Sequence, residues 1–399
     1  VATTTTIPRR VLCVLGTRPE VIKLAPLIAE LRARAHSFEL HVCTTGQHRE
    51  LLEHALAAFG QVPDSNLDLM EPGQTPAALL AKIIEALTPL IARTRPELVI
   101  VQGDTTTAFA GALAAYYAQI PVAHVEAGLR SGDPLAPFPE EQHRRMIDQL
   151  AHWLFAPTET ARRNLLREGH APERIHVTGN TGIDALRWLE RRAAEPEVEA
   201  QLDALLDSVE GLERELPEAA GASGRSSVPK RKLVLATVHR REQIDGPLEQ
   251  ICEGLASIAA LRGVDVLMPI HPNPAIRAGI DAALADSGVH RIPALEPLRF
   301  VGLLRRATLV ITDSGGVQEE AASLGIPALI VRARSDRPES VEAGTSRVVG
   351  HDPGSIFSAA TRILDRPGSP PLLAASEVFG DGRAAVRIAD VLAIRGTPE

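Results

Sequence analysis

An α/β fold of two doubly wound halves is what this sequence predicts, and three observations predict it. Short apolar runs alternate with longer stretches of helical period along most of the chain. The alternation fails once, between Glu210 and Lys230, where Gly221-Ala-Ser-Gly-Arg-Ser-Ser reads as a polar loop or linker, and then restarts. At 399 residues the chain is also too long for one ordinary core.

The elements follow in order. Val11–Leu15 reads as a strand and Glu20–Arg34 as a helix, with Leu24, Leu27, Ile28 and Leu31 on one face. Leu40–Thr44 and Leu98–Val101 are strands, followed by an Ala-rich helix over Thr106–Ala118. Val122–Val125 is a strand, Glu140–Leu150 a helix, and Trp153–Ala156 and Ile175–Thr178 are short strands. Beyond the linker come strand Leu233–Val238, helix Leu248–Leu261 and strand Val264–Ile270. Strand Leu309–Thr312, helix Val317–Leu324 and strand Ala328–Val331 follow, and helices Ile356–Leu364 and Ala384–Ile394 close the chain. Such alternation builds parallel sheets covered by helices on both faces. The boundary between the halves falls between Asn180 and Lys230. Two such domains are expected to face each other across a cleft, with ligands held beyond the carboxyl ends of the strands.

Composition narrows the function. A net charge of -8 disfavours nucleic acid, whose binders carry a basic excess. Cys13, Cys43 and Cys252 are too few for a disulfide framework, and no metal-ligand spacing occurs. No apolar run is long enough for a membrane span, and Val1–Arg10 lacks the apolar region of a secretory signal. A cytoplasmic protein without metal or membrane is the expectation. There is no G-x-G-x-x-G, no Walker lysine and no nucleophile elbow.

The unusual residues cluster just after strands. Gly16-Thr17-Arg18-Pro19-Glu20 reads either as an ordinary βα turn or as a cleft-mouth arginine beside a helix N-terminus. In Gln102-Gly103-Asp104-Thr105-Thr106-Thr107 the aspartate is either a helix cap or an ionised group facing the cleft. His124-Val125-Glu126-Ala127-Gly128-Leu129-Arg130 ends an apolar strand on a glutamate, which packing does not explain. Glu140 and Arg144, four apart on one helix, form either a surface ion pair or part of a site. Together Asp104, Glu126 and Glu140 put three carboxylates on the loops of one sheet edge, and crowding of that kind tunes pKa values for acid–base work. In the second half, His239 and His271 each follow a strand. Asp313-Ser314-Gly315-Gly316 opens a helix after another strand, a ready anion site, with Glu320 one turn in. Arg337 lies on the next loop. These residues call for an anionic ligand, a nucleotide diphosphate, and for acid–base chemistry.

At these residues the chain resembles the non-hydrolysing UDP-N-acetylglucosamine 2-epimerase family. The motifs are GTRPEVIKLAPL from Gly16, TGQHREL from Thr45, QGDTTT from Gln102, HVEAGLRSGD from His124, PTET from Pro157, TGNTGIDAL from Thr178, VHRRE from Val238 and TDSGGVQEEAASLG from Thr312. The resemblance implies two Rossmann-like domains arranged as in GT-B glycosyltransferases, over residues 1–185 and 186–380, with residues 381–399 packing back on the first. It implies interconversion of UDP-GlcNAc and UDP-ManNAc by elimination of UDP to a 2-acetamidoglucal and readdition, with no cofactor. It puts Arg18 and Lys23 near the phosphates. Asp104, Glu126 and Glu140 become the proton-transfer carboxylates, without saying which is acid and which base, and Arg144 and His239 become their partners. Phe300 falls near uracil, Ser314, Gly315 and Gly316 in the diphosphate cradle, Glu320 on ribose, and Arg337 on phosphate or sugar. Gln47, His48, Arg49, Glu242 and His271 fall in segments linked to a second, allosteric UDP-GlcNAc, and a homodimer is implied. Departures at His143 (usually Asn), Leu295 (usually polar) and Arg332–Asp336 leave open a related UDP-2-acetamido sugar. A GT-B glycosyltransferase is the alternative enzyme class.

Overall fold

The computed structural model describes residues 7–46, 49–71, 73–135, 137–209, 211–212, 231–238, 246–270, 274–365 and 377–394, with the backbone alone for residues 49–51, 53–54 and 274–276. The chain forms two compact units, one of Val1–Arg187 with Phe379–Glu399, the other of Trp188–Val378.

The first unit is a seven-stranded parallel sheet in the order β3-β2-β1-β4-β5-β6-β7. Its strands are β1 (Arg9–Leu15), β2 (Phe38–Thr44), β3 (Ser65–Asn66), β4 (Leu98–Gln102), β5 (Val122–Val125), β6 (Trp153–Ala156) and β7 (Ile175–Val177). Helices α1 (Arg18–Ala33), α2 (Arg49–Ala58), α3 (Pro76–Thr94), α4 (Thr106–Tyr117), α5 (Glu140–Leu150), α6 (Glu159–Arg167) and α7 (Thr181–Ala193) alternate with them. Along β1 the side chains divide between two cores. Leu12 and Val14 join the core that includes Ile83 and Leu87 of α3, while Val11, Cys13 and Leu15 join the core that includes Leu24 and Ile28 of α1. A strand buried on both faces reads as a continuous apolar run, which is why β1 was legible without alternation. The strand order reverses between β1 and β4, and ligands of such sheets collect beyond that switch point.

Several helices escape the sequence reading, the longest of them α3. α3 is 19 residues long, and Pro89 in its interior disguises it, since a mid-helix proline removes an amide donor. Burial of Leu79, Ile83, Leu87, Leu90 and Ile91 along one face overrides that cost.

The second unit is a six-stranded parallel sheet in the order β10-β9-β8-β11-β12-β13. Helix α8 (Pro196–Asp207) precedes β8 (Lys232–Thr237), and α9 (Leu248–Ala259) leads to β9 (Val264–Pro269). Helix α10 (Pro274–Ala283), β10 (Val289–Ile292) and α11 (Pro297–Arg306) follow, then β11 (Leu309–Thr312), α12 (Gly315–Leu324) and β12 (Ala328–Ile330). Helix α13 (Pro338–Glu342), β13 (Ser346–Val348) and α14 (Pro353–Leu364) complete it. Here the order reverses between β8 and β11. The α/β class with parallel sheets therefore holds for both halves.

The last helix, α15 (Ala384–Ala393), belongs to the first unit and packs Ala385, Ile388, Ala389 and Leu392 into the core beside α1. Asp184 of α7 accepts from the amides of Ala384 at 3.1 Å and Ala385 at 2.9 Å, satisfying donors that a helix start leaves open. Arg9 donates to the Leu392 carbonyl at 3.1 Å and stacks over the Trp153 ring at 4.9 Å. Asp184→Ala is therefore expected to destabilise the first unit by about 1–3 kcal/mol, the cost of stranding buried donors. The shift of its unfolding midpoint in urea checks this.

Candidate active site

The carboxyl edge of the first sheet is built from the loops after β1, β4 and β5. Glu126 stands directly after β5 with φ of 71°, a left-handed conformation that costs a non-glycine residue about 1–3 kcal/mol. Its amide and that of Ala127 both donate to the Phe155 carbonyl at 3.0 Å, which holds the turn. Gly128 follows at φ 83°, and a Cβ there would come within 2.4 Å of the Ala161 carbonyl oxygen. The chain approaches too closely for any other residue.

That turn delivers the Glu126 carboxylate to Lys23 of α1, whose ammonium lies 2.7 Å from Oε1 and 2.5 Å from Oε2. The Gln102 side-chain amide donates to the same Oε2. Glu126 is only 7% exposed, so the Coulomb attraction to Lys23 acts at reduced dielectric and exceeds that of a surface pair. Lys23, which the resemblance puts near phosphate, thus grips a carboxylate within the first unit.

Asp104 pairs with the Arg144 guanidinium, which also lies 3.5 Å from Glu141. Among the described residues no ion pair joins Arg144 to Glu140. The local i, i+4 contact read from the sequence yields to a longer-range partner. Glu140 begins α5 half-buried. His143 turns inward: its Nδ1 donates to the Asp104 carbonyl at 3.1 Å, and its ring stacks on Phe109 at 5.0 Å. Burial holds this imidazole below the ordinary histidine range, opposed by the Asp104 carbonyl and by Glu140.

A further carboxylate was not singled out from the sequence. Glu20 is buried, accepts from the amides of Gly16 at 3.1 Å and Thr17 at 2.7 Å, and accepts from the Thr105 hydroxyl at 2.8 Å. It therefore ties the loop after β1 to the loop of Asp104. The signal was available, because Thr17 and Glu20 have the spacing of a capping box, which the structure forms. Arg18 is the first residue of the helix so capped and is half-buried.

In the second unit the carboxyl edge carries the glycine turn. Ser314 caps α12 by its backbone without a side-chain cap bond, and its amide donates to Thr312 Oγ1 at 2.9 Å. Gly315 and Gly316 open the helix, and a Cβ on Gly315 would lie 3.2 Å from Asp336 and 3.4 Å from the Arg337 guanidinium. Arg337 thus lies at this helix start, held by Glu319. Glu320 follows in the same helix, half-buried. Phe300 and Leu295 pack against the apolar core of this unit. Arg332 and Asp336 pair at 3.2 Å. His239, Gln47, His48, Glu242 and His271 lie outside the described residues, and of Arg49 only the backbone is described. No group of metal-ligating side chains occurs among the described residues. No described helix is long and apolar enough to cross a membrane.

Comparison with known proteins agrees along nearly the whole chain. A family model described as UDP-N-acetylglucosamine 2-epimerase matches residues 29–393. The UDP-N-acetylglucosamine 2-epimerase of Escherichia coli K12 is 44% identical over 96% of this chain and 98% of its own. That of Bacillus subtilis is 39% identical over 96% and 94%. The crystal structure of UDP-GlcNAc 2-epimerase from Neisseria meningitidis bound to UDP-GlcNAc superposes with a TM-score of 0.86 at 36% identity, covering 96% of this chain and 99% of that one. A glycosyltransferase from Streptomyces nogalater shares the fold alone, with a TM-score of 0.56 at 18% identity over 97% of this chain and 100% of that one.

Burial raises the Glu20 carboxyl from its ordinary 4.5 to about 7, against hydrogen bonds from Thr17, Thr105 and the Gly16 and Thr17 amides that favour the charge. The folded state then holds a proton that the unfolded chain has released. The resulting stabilisation is complete below pH 4.5 and is lost as pH rises through about 7. Glu20→Gln removes this titration. Its stability relative to the wild type is expected to improve between pH 4.5 and 8, by on the order of 3 kcal/mol at most. Urea unfolding at both pH values checks the sign.

Proposed function

The chain belongs to the UDP-N-acetylglucosamine 2-epimerase family, and from that premise we propose that it interconverts UDP-GlcNAc and UDP-ManNAc without hydrolysis. The observation that carries the proposal is the set of carboxylates on one sheet edge. Asp104 is paired with Arg144, Glu126 with Lys23, and Glu140 begins the helix that carries Arg144. The N-terminal domain, residues 1–185, supplies this acid–base chemistry. The C-terminal domain, residues 186–380, takes the nucleotide, and residues 381–399 return to the first.

The C2 proton of the sugar is weakly acidic, so its removal has to be coupled to loss of a good leaving group. A carboxylate takes the proton from C2 as the C1–O bond to UDP breaks, leaving a C1=C2 double bond in a 2-acetamidoglucal. A second carboxyl returns a proton to C2 on the opposite face, and the diphosphate oxygen re-forms the bond to C1. Atoms balance without redox change, and no cofactor is needed. The developing charge on the diphosphate calls for preorganised donors. The open amides at the α12 start, with Ser314, Gly315, Gly316, Arg337 and Arg18, are the groups we assign to it. Glu320 takes the ribose, Phe300 lies toward uracil, and His239 with Arg144 assists proton transfer.

UDP-GlcNAc is preferred to a related 2-acetamido sugar on specific grounds. His143 is directed at a backbone carbonyl and at Phe109, and Leu295 packs against a core, so both departures have an explanation in packing. A homodimer in the cytoplasm, with a second UDP-GlcNAc as activator near Gln47, His48, Arg49, Glu242 and His271, completes the proposal.

Incubation with UDP-GlcNAc and product separation tests the reaction: UDP-ManNAc is expected to accumulate to an equilibrium reached equally from either side. Free ManNAc with stoichiometric UDP means hydrolysis, and an unchanged substrate means another function. The activator is tested from the reverse direction. UDP-ManNAc alone is expected to react at least about tenfold more slowly than with a trace of UDP-GlcNAc, and equal initial rates contradict a second site.

A further inference from the structure

His124 of β5 is wholly buried, and both of its ring nitrogens are engaged. Nε2 lies 2.8 Å from the carbonyl oxygen of Gly103, the residue before Asp104. A carbonyl only accepts, so Nε2 carries a proton. Nδ1 lies 2.6 Å from Oδ1 of Asp148 on α5, which is equally buried. Burial works to raise the Asp148 carboxyl, but His124 and Arg130 outweigh it and hold it below the ordinary aspartate range. Nδ1 of His124 and the Arg130 guanidinium thus both engage Asp148. Its other oxygen accepts from the Gly128 amide at 3.2 Å and from Arg130 at 2.7 Å. Arg130 is shared with Glu168, whose Oε1 accepts from its Nε at 2.8 Å.

The connectivity matters more than the individual bonds. One arm of this network fixes the loop that carries Asp104. The other fixes the turn that carries Glu126. A polar pair so deeply buried is a poor source of stability, because desolvation offsets much of the attraction and an apolar pair would fill the space as well. Fixing two loops against each other is a task an apolar pair cannot perform, since it offers no donors and acceptors to the Gly103 carbonyl and Gly128 amide. We propose that His124 and Asp148 are positioning residues, which set the Asp104 and Glu126 loops in the register that proton transfer requires. They do not touch the substrate themselves.

The assignment rests on the epimerase reading for its catalytic consequence, and the test separates the two. In His124→Gln the side-chain amide nitrogen falls near the Nε2 position and still reaches Gly103. In His124→Asn it falls near Nδ1, so the Asp148 contact is kept and the Gly103 contact is lost. His124→Asn is expected to lower kcat about 10²-fold, the effect of misplacing a reacting group by an ångström. Its KM for UDP-GlcNAc is expected to stay within about threefold. His124→Gln keeps Gly103 but drops Asp148, and it is expected to lower kcat as well, because either break uncouples the two loops. Unchanged kcat in both variants, or a loss confined to KM, overturns the assignment. Hydrogen exchange of the free protein, read by mass spectrometry over residues 103–107 and 126–130, stands whether or not epimerisation is the activity. Faster exchange over residues 103–107 in His124→Asn but not in His124→Gln supports the clamp, and unchanged exchange in both overturns it. Should His124→Asn fail to fold, Asp148→Asn carries the test through the same peptides. It is expected to loosen residues 126–130, and unaltered exchange there contradicts the proposal.

Discussion

Everything in the first unit that bears on chemistry depends on how one carboxylate is presented. Glu126 ends a buried strand in a left-handed turn and is met there by the ammonium of Lys23 at 2.5 Å. A buried glutamate without a cation would be driven neutral by desolvation, and the turn would lose the partner that offsets its strain. Lys23 can reach it only because α1 starts where it does. That start is set by the capping box of Thr17 and Glu20, and Glu20 also holds Thr105 beside Asp104. Strand end, helix cap and neighbouring loop are thus one connected device.

Fold by itself does not choose the chemistry. A glycosyltransferase shares this architecture at 18% identity, so the architecture alone selects no reaction. What distinguishes this chain is the sheet edge of the first unit. There each of Asp104 and Glu126 is paired with its own cation.

Much of this was legible in the sequence, and the failures have physical causes. Apolar runs marked β1, β4, β5, β8 and β11, because strands covered on both faces must be apolar throughout. Polar residues just after those runs marked the loops, since a parallel sheet puts every strand end on one edge. Helix α3 was missed because Pro89 contradicts local propensity, and tertiary burial won. Spacing offers Glu140 as one possible partner of Arg144, but only the fold brings Asp104 within reach. Glu20 carried a legible cap motif, while its raised pKa follows from burial, which no local pattern discloses. His143, a departure beside Arg144, is directed at the Asp104 carbonyl, a contact that no local pattern discloses.

The central claim is that a carboxylate on this edge moves the C2 proton, and Glu126 is the one whose presentation the structure invests in most. The most direct measurement is solvent deuterium at C2, followed by NMR during incubation with UDP-GlcNAc in deuterated water, for the wild type and Glu126→Gln. The account predicts deuterium at C2 with the wild type, and exchange slowed by roughly 10²–10⁴-fold in the variant. Full exchange in Glu126→Gln, with UDP still bound, would contradict it.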